Sequence, residues 1–211
     1  MHKFVITLII LLNAVVLHAQ HEGYKQIQDI QAFKQQFAAA SQKTKSIHSD
    51  FVQEKNLSML SEKIVSKGKF WFKKDNLVRM EYNTPFKYLV VINKSNVLIK
   101  DEQKENKMSS KSNKLFQQIN KIIVDCVQGT ALDNPDFTVK VFEGKNGYLV
   151  ELSPKIKTMK DLFKNINVIV EKKDLTIFRM EMIEQTGDNT IINFLNKELN
   201  TDIPDALFAI K

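Results

Sequence analysis

The stretch that decides the fold is Gly68–Pro85, GKFWFKKDNLVRMEYNTP. Side chains of a strand alternate between two faces, so reading the stretch at period two tests it for strand character. Gly68, Phe70, Phe72 and Lys74 fall on one side, and Lys69, Trp71 and Lys73 on the other. Asp75-Asn76 is a turn signal, after which the alternation resumes. Val78, Met80 and Tyr82 share one face, while Leu77, Arg79 and Glu81 share the opposite one. The pattern predicts a β-hairpin with one aromatic, apolar surface and one mostly charged surface.

Working outward, residues 24–45 carry a different period. Ile27, Ile30, Phe33 and Phe37 recur at three- and four-residue steps, which predicts an amphipathic helix. From Ser46 the period returns to two, and Ile47 and Phe51 mark the first strand. Downstream of Pro85, Phe86–Ile92 is a strand too apolar to assign a face, and Val97–Lys100 is another. Met108–Cys126 reads as a second helix: Leu115, Ile119, Ile122, Ile123 and Cys126 make one stripe, and Gly129 stands where a helix stops. The last third is strand again. Phe137, Val139 and Val141, then Tyr148, Val150 and Leu152, then Ile166, Val168 and Val170, then Phe178, Met180 and Met182, then Ile192 and Phe194 each alternate with polar residues. About ten strands joined by short turns predict a mostly β fold with helices, an antiparallel meander curling toward a barrel. No linker or internal repeat divides it, so residues 20–211 form one domain.

Residues 1–19 read as a cleaved secretory signal. Lys3 precedes an apolar run from Phe4 to Leu17, and Leu17-His18-Ala19 offers a small-residue cleavage site. That run is short for a membrane anchor and lacks a basic stop-transfer flank. Gln20 follows the cleavage point, so no cysteine is placed there for lipidation. The sole cysteine, Cys126, rules out an internal disulfide and falls in register with apolar helix neighbours, as a small buried hydrophobe does. The net charge of +7 comes from scattered lysines. Arginine, the usual reader of base edges, is scarce, which argues against nucleic acid; acidic lipid headgroups or acidic partners account for the charge equally well.

Motifs for chemistry are missing. The chain has no phosphate-binding glycine loop, HExxH, CxxC or GxSxG. His2 and His18 belong to the signal, His21 to the mature N-terminus and His48 to a polar strand face. No catalytic residue, metal site or cofactor is expected. What the sequence offers is an interior. Phe51, Phe70, Phe72, Val78, Met80, Tyr82, Phe137, Phe178, Met180, Met182 and Phe194 line one concave surface. A filled core is one reading of it. The other is a cavity, because about ten strands enclose more space than their own side chains fill. Phenylalanine and methionine suit variable apolar ligands.

The order of a helix, Phe51-Val52-Gln53, Gly68–Lys73, Asn76-Leu77, Arg79–Pro85 and finally Asp205–Phe208 resembles the periplasmic lipoprotein carrier family, LolA. The resemblance covers essentially the whole mature chain. It implies an unclosed β-barrel, or half-barrel, of ten to eleven strands with helices as a lid over an apolar cavity. It further implies acylated lipoproteins as cargo, an inner-membrane ABC lipoprotein-releasing transporter as donor, an outer-membrane acceptor, and a periplasmic location. On this reading Ile27, Ile30, Phe33, Ile119, Ile122, Ile123 and Cys126 form the lid and plug the empty cavity. The family's arginine that holds the lid shut is here Lys74. Lysine has three donors but no planar fork, so Lys74 is either the latch or a solvated rim residue. A monomer is the simplest state for a shuttle. A lipid or glycolipid carrier or sensor on the same half-barrel is the alternative, with a lipid-acting enzyme behind it.

Overall fold

The computed structural model describes residues 21–59, 62–109 and 122–210. Among them lies one sheet of 12 strands, every neighbouring pair antiparallel. In chain order the elements are β1 (Lys25–Gln26), α1 (Ile30–Lys43), β2 (Ser46–Leu57), β3 (Glu62–Lys73), β4 (Leu77–Thr84), β5 (Tyr88–Asn93), β6 (Asn96–Asp101) and β7 (Glu105–Ser109). There follow α2 (residues 122–128), β8 (Phe137–Glu143), β9 (Gly147–Pro154), α3 (Lys157–Lys160), β10 (Phe163–Glu171), β11 (Ile177–Glu184) and β12 (Asn189–Leu199). The spatial order is β1-β8-β9-β10-β11-β12-β2-β3-β4-β5-β6-β7. Two meanders therefore join along β12 and β2, with β1 and β7 at the free edges. The sheet is an unclosed half-barrel with helices against its concave side.

The deciding hairpin forms in the expected register. Phe70 pairs with Met80 and Phe72 with Val78, and in the three-residue connection after Lys73 both Asp75 and Asn76 take positive φ (72° and 60°), as a tight hairpin turn requires. Gly68 is required by close packing: a Cβ there would lie 2.0 Å from the Glu81 carbonyl oxygen and 2.8 Å from the Phe51 ring. Phe51, Phe70 and Phe72 are each at most 2% exposed. Burying side chains of that size contributes about 1.5–3 kcal/mol apiece.

The opposite, mostly charged face of the hairpin is covered in part. Trp71 and Leu77 pack with Val91, Leu98, Ile203 and Phe208 into a separate apolar layer on the convex side. The chain end covers it, through a 3-10 turn at Asp205–Phe208. Lys73 Nζ donates to the Ile203 carbonyl, Arg79 Nη1 to that of Leu207, and Asn93 Nδ2 to that of Phe208. The Arg79 guanidinium also sits 5.8 Å from the Trp71 ring. Because β5 and β6 are covered on both faces, their apolar runs show no alternation.

Two helix boundaries and one strand differ from the sequence expectation. α1 begins at Ile30, since Asp29 caps it by accepting from Ala32 N at 2.9 Å. Lys25–Gln26 instead pairs with β8, so Ile27 precedes the helix. Met108 belongs to β7, opposite Val97, rather than to a helix. Leu115 and Ile119 lie outside the described residues. At the far end the expected stop holds: Gly129 has φ 76°, and Thr130 N donates to Asp125 O at 2.8 Å, closing a left-handed helix cap. In β11 the register slips, with Arg179 opposite Ile169 but Ile177 opposite Val170. This bulge turns Ile177 inward and leaves Phe178 out of the buried clusters.

Candidate functional site

The concave side holds two adjoining apolar clusters. One is built on β2–β6 from Phe51, Phe70, Phe72, Val78 and Met80; the other on β8–β11 from Phe137, Val141, Ile166, Val168 and Met180. α1 seals the second, with Phe33 and Phe37 stacked at 5.9 Å and Phe33 4.7 Å from the Tyr148 ring. Ile27 and Ile30 pack at its margin. α2 lies over the junction. Ile122 and Cys126 join the cluster beneath α1, while Ile123 and Val127 pack on the β2–β6 cluster. The sequence placed Ile122, Ile123 and Cys126 on one stripe; the structure uses two sides of the helix.

Beneath α2 a cavity of about 40 Å³ remains. Its cover is Ile123, Cys126 and Val127, and its floor includes Ile47, Phe70, Met80, Met180, Ile192 and Phe194. Of the residues expected to line it, Phe70, Met80, Met180 and Phe194 meet there. Phe51, Phe72, Val78 and Phe137 are buried in the flanking clusters instead. Met182 bridges the two clusters, partly buried. Tyr82 packs edge-on to Phe51 at 4.9 Å and donates its hydroxyl to Gln53 Oε1 at 2.9 Å. Burial, with Tyr88 nearby, pushes its phenol up to about 12. Phe178 is displaced by the bulge, and Ile177 lines the cavity in its place. The expected hollow is thus largely filled in this form. Typical ligand pockets are about 300–1,000 Å³, so a long apolar ligand fits only if α2 moves away.

Polar side chains tie α2 to its surroundings. Gln128 Nε2 donates to Asn76 Oδ1 at 2.9 Å, joining the helix end to the β3–β4 turn. Gly129 packs against α1, where a Cβ would come within 2.6 Å of Ser41 Oγ. Lys74 is exposed and donates to the Gln42 carbonyl of α1 at 2.5 Å. The rim lysine therefore grips α1, while α2 is tied by Gln128 to Asn76 and by Asp125, whose carboxylate accepts from Asn134 Nδ2 at 2.8 Å. Exposed contacts of this kind are worth little, about 0–1 kcal/mol. Cys126 is buried, and burial, with Asp125 adjacent, pushes its thiol up.

The cavity also has a polar end that the sequence did not reveal. Ser49, Thr44, Thr176 and Lys197 line it. Lys197 Nζ donates to Glu171 Oε1 at 2.8 Å, Thr176 Oγ1 at 2.7 Å and the Ile177 carbonyl at 3.2 Å. Thr176 Oγ1 donates to Asp174 Oδ1, and Thr44 Oγ1 to the Ala40 carbonyl. Ser49 is 1% exposed, and its Oγ has no partner among the described residues. Leaving a buried hydroxyl unpaired costs about 1–3 kcal/mol. Its only sequence signal is a serine on the inward face between Ile47 and Phe51. No cluster of three or more His, Cys, Asp or Glu able to hold a metal occurs among the described residues.

Fold and site together define a helix-covered, unclosed antiparallel half-barrel with an apolar interior, an architecture that suggests lipid or lipoprotein binding. Residues 42–211 match the family model described as outer membrane lipoprotein carrier protein LolA, and the chain belongs to that family. Solved structures are similar in fold at low identity. An uncharacterized conserved protein from Thermus thermophilus is 10% identical with a TM-score of 0.50, over 82% of this chain and 91% of that one. A putative outer membrane lipoprotein-sorting protein domain from Vibrio parahaemolyticus is 12% identical at 0.46, over 84% and 94%. A LolA-superfamily protein from Nitrosomonas europaea is 8% identical at 0.45, over 85% and 97%. No curated protein matches the chain in sequence.

Proposed function

We propose that this protein is a periplasmic carrier that takes up the acyl chains of lipoproteins under α2 and shuttles them from the inner to the outer membrane. The observation that supports the reading best is the cover itself. Ile123, Cys126 and Val127 lie across an apolar floor and close it to about 40 Å³ through apolar side chains. Each methylene withdrawn from water contributes about 0.8 kcal/mol, so an acyl chain cannot cross an aqueous space exposed. Release demands the opposite, a competitor for the same surface. A helix whose apolar side fills the site when cargo leaves is such a competitor, and it keeps the two states close in free energy. Binding and release need no chemical step, so the carrier is not an enzyme. Its partners are an inner-membrane ABC transporter as donor and an outer-membrane acceptor, and it acts as a monomer.

Depletion of the protein in its native cell tests this directly. Acylated lipoproteins are expected to accumulate at the inner membrane, and lipoprotein acyl peptides to co-purify with the carrier. Normal lipoprotein sorting on depletion, with free lipid or glycolipid as the co-purified species, would replace lipoprotein carriage by lipid carriage.

A further inference from the structure

The polar end of the cavity carries information about the ligand that the apolar floor does not. Ser49 lies on β2 opposite a bulge: Asp50 faces Leu195 and His48 faces Glu198, so two residues, Asn196 and Lys197, stand across from this one. On its other side Ser49 pairs with Phe70. Both strands belong to the centre of the sheet, so the position of the hydroxyl does not depend on where α2 lies. Lys197 is the cation nearest this end, yet its three N–H donors are already committed to Glu171, Thr176 and the Ile177 carbonyl. An incoming carboxylate or phosphate would have to break that set. A neutral acceptor needs only the hydroxyl of Ser49, which is buried, lines the cavity and has no partner among the described residues.

We infer that Ser49 is a specificity residue, whose hydroxyl donates a hydrogen bond to the ester or amide carbonyl at the head of a bound acyl chain while the hydrocarbon tail lies on Phe70, Met80 and Phe194. The inference rests on the carrier reading and narrows its substrate class. The cavity takes carbonyl-linked acyl chains in preference to ether-linked chains, and it does not select for the charged head of a free fatty acid.

The test compares three probes of equal chain length on the purified mature protein by calorimetry: hexadecanoyl lysophosphatidylcholine (ester), an N-hexadecanoyl peptide (amide) and the hexadecyl ether analogue of the first. The wild type is expected to favour a carbonyl-linked probe over the ether by about three- to tenfold, the worth of one buried hydrogen bond. Whichever of the ester and the amide shows the larger preference identifies the O-acyl or the N-acyl linkage as the one the hydroxyl reads. In Ser49→Ala that preference is expected to fall to about one, and in Ser49→Thr to persist. The alanine variant should melt no lower than the wild type, because it removes an unpaired buried group. Equal affinity of the wild type for all three probes would overturn the role of Ser49 while leaving acyl binding intact. So would a preference that survives in Ser49→Ala. Failure of the wild type to bind any probe would sink both this inference and the carrier reading.

Discussion

Tyr82 shows how much of a residue's behaviour is set by its surroundings. Its place on the inward face of β4 follows from alternation with Val78 and Met80, but nothing in the sequence announces that Gln53 accepts its hydroxyl. Burial holds the phenol neutral until about pH 12, against an ordinary value of 10.0. Below pH 10 the group is neutral in both folded and unfolded chains and has no effect on pH dependence. Between pH 10 and about 12 the unfolded chain loses the proton and the folded one keeps it. Stability is therefore lost as pH rises through that window, at up to about 1.4 kcal/mol per pH unit. Urea denaturation at pH 9, 10.5 and 11.5 should show Tyr82→Phe losing less stability than the wild type across the series. Parallel losses in the two proteins would mean that the phenol is not held neutral by the fold.

At the scale of elements, the behaviour of α2 matters most. Its apolar period and its stop at Gly129 are legible because helix periodicity and left-handed caps are local properties. Which side of it faces the cavity is not, since that depends on α1 meeting Ile122 and Cys126 from one side while the sheet meets Ile123 and Val127 from the other. Cys126 is a natural reporter of this helix. With its thiol buried beneath the cover, labelling by a thiol reagent should be slower than in the unfolded chain by two orders of magnitude or more, roughly the suppression expected for opening that costs about 3 kcal/mol. Gln128→Ala removes the tie to Asn76 and should speed labelling about two- to fivefold. It should also strengthen acyl binding by a similar factor, because a less stable cover competes less. Unchanged labelling in Gln128→Ala would show that the tie to Asn76 does not hold the helix. Lys74→Ala, which frees α1 rather than α2, should have the smaller effect.

For the molecule as a whole, the two faces of the sheet have separate tasks. The concave face turns its apolar surface toward α1 and α2, whereas the convex face of β3–β6 is sealed by the segment around Asp205–Phe208. Phe208 is 0% exposed among Val91, Leu98 and Ile203. Phe208→Ala should cost about 3–5 kcal/mol in denaturant titrations and leave acyl affinity within twofold, because its layer lies on the far side of the sheet from the cavity. A large fall in affinity with little loss of stability would contradict that division.

The sequence by itself determined most of the strands (β1 and β7 excepted), the inward faces of β3, β4, β8, β9 and β10, and the turn at Asp75-Asn76, because alternation and turn chemistry act over a few residues. It also supplied the helix stop at Gly129 and, through ordered short motifs, the family. Only the tertiary structure decided that Phe178 is displaced from the interior by a bulge, that Asp205–Phe208 covers Trp71 and Arg79, and that Ser49 stands opposite the bulge in β12. Each of those depends on the register between segments far apart in the chain. A register shift of one residue exchanges inside for outside, and no local pattern records it.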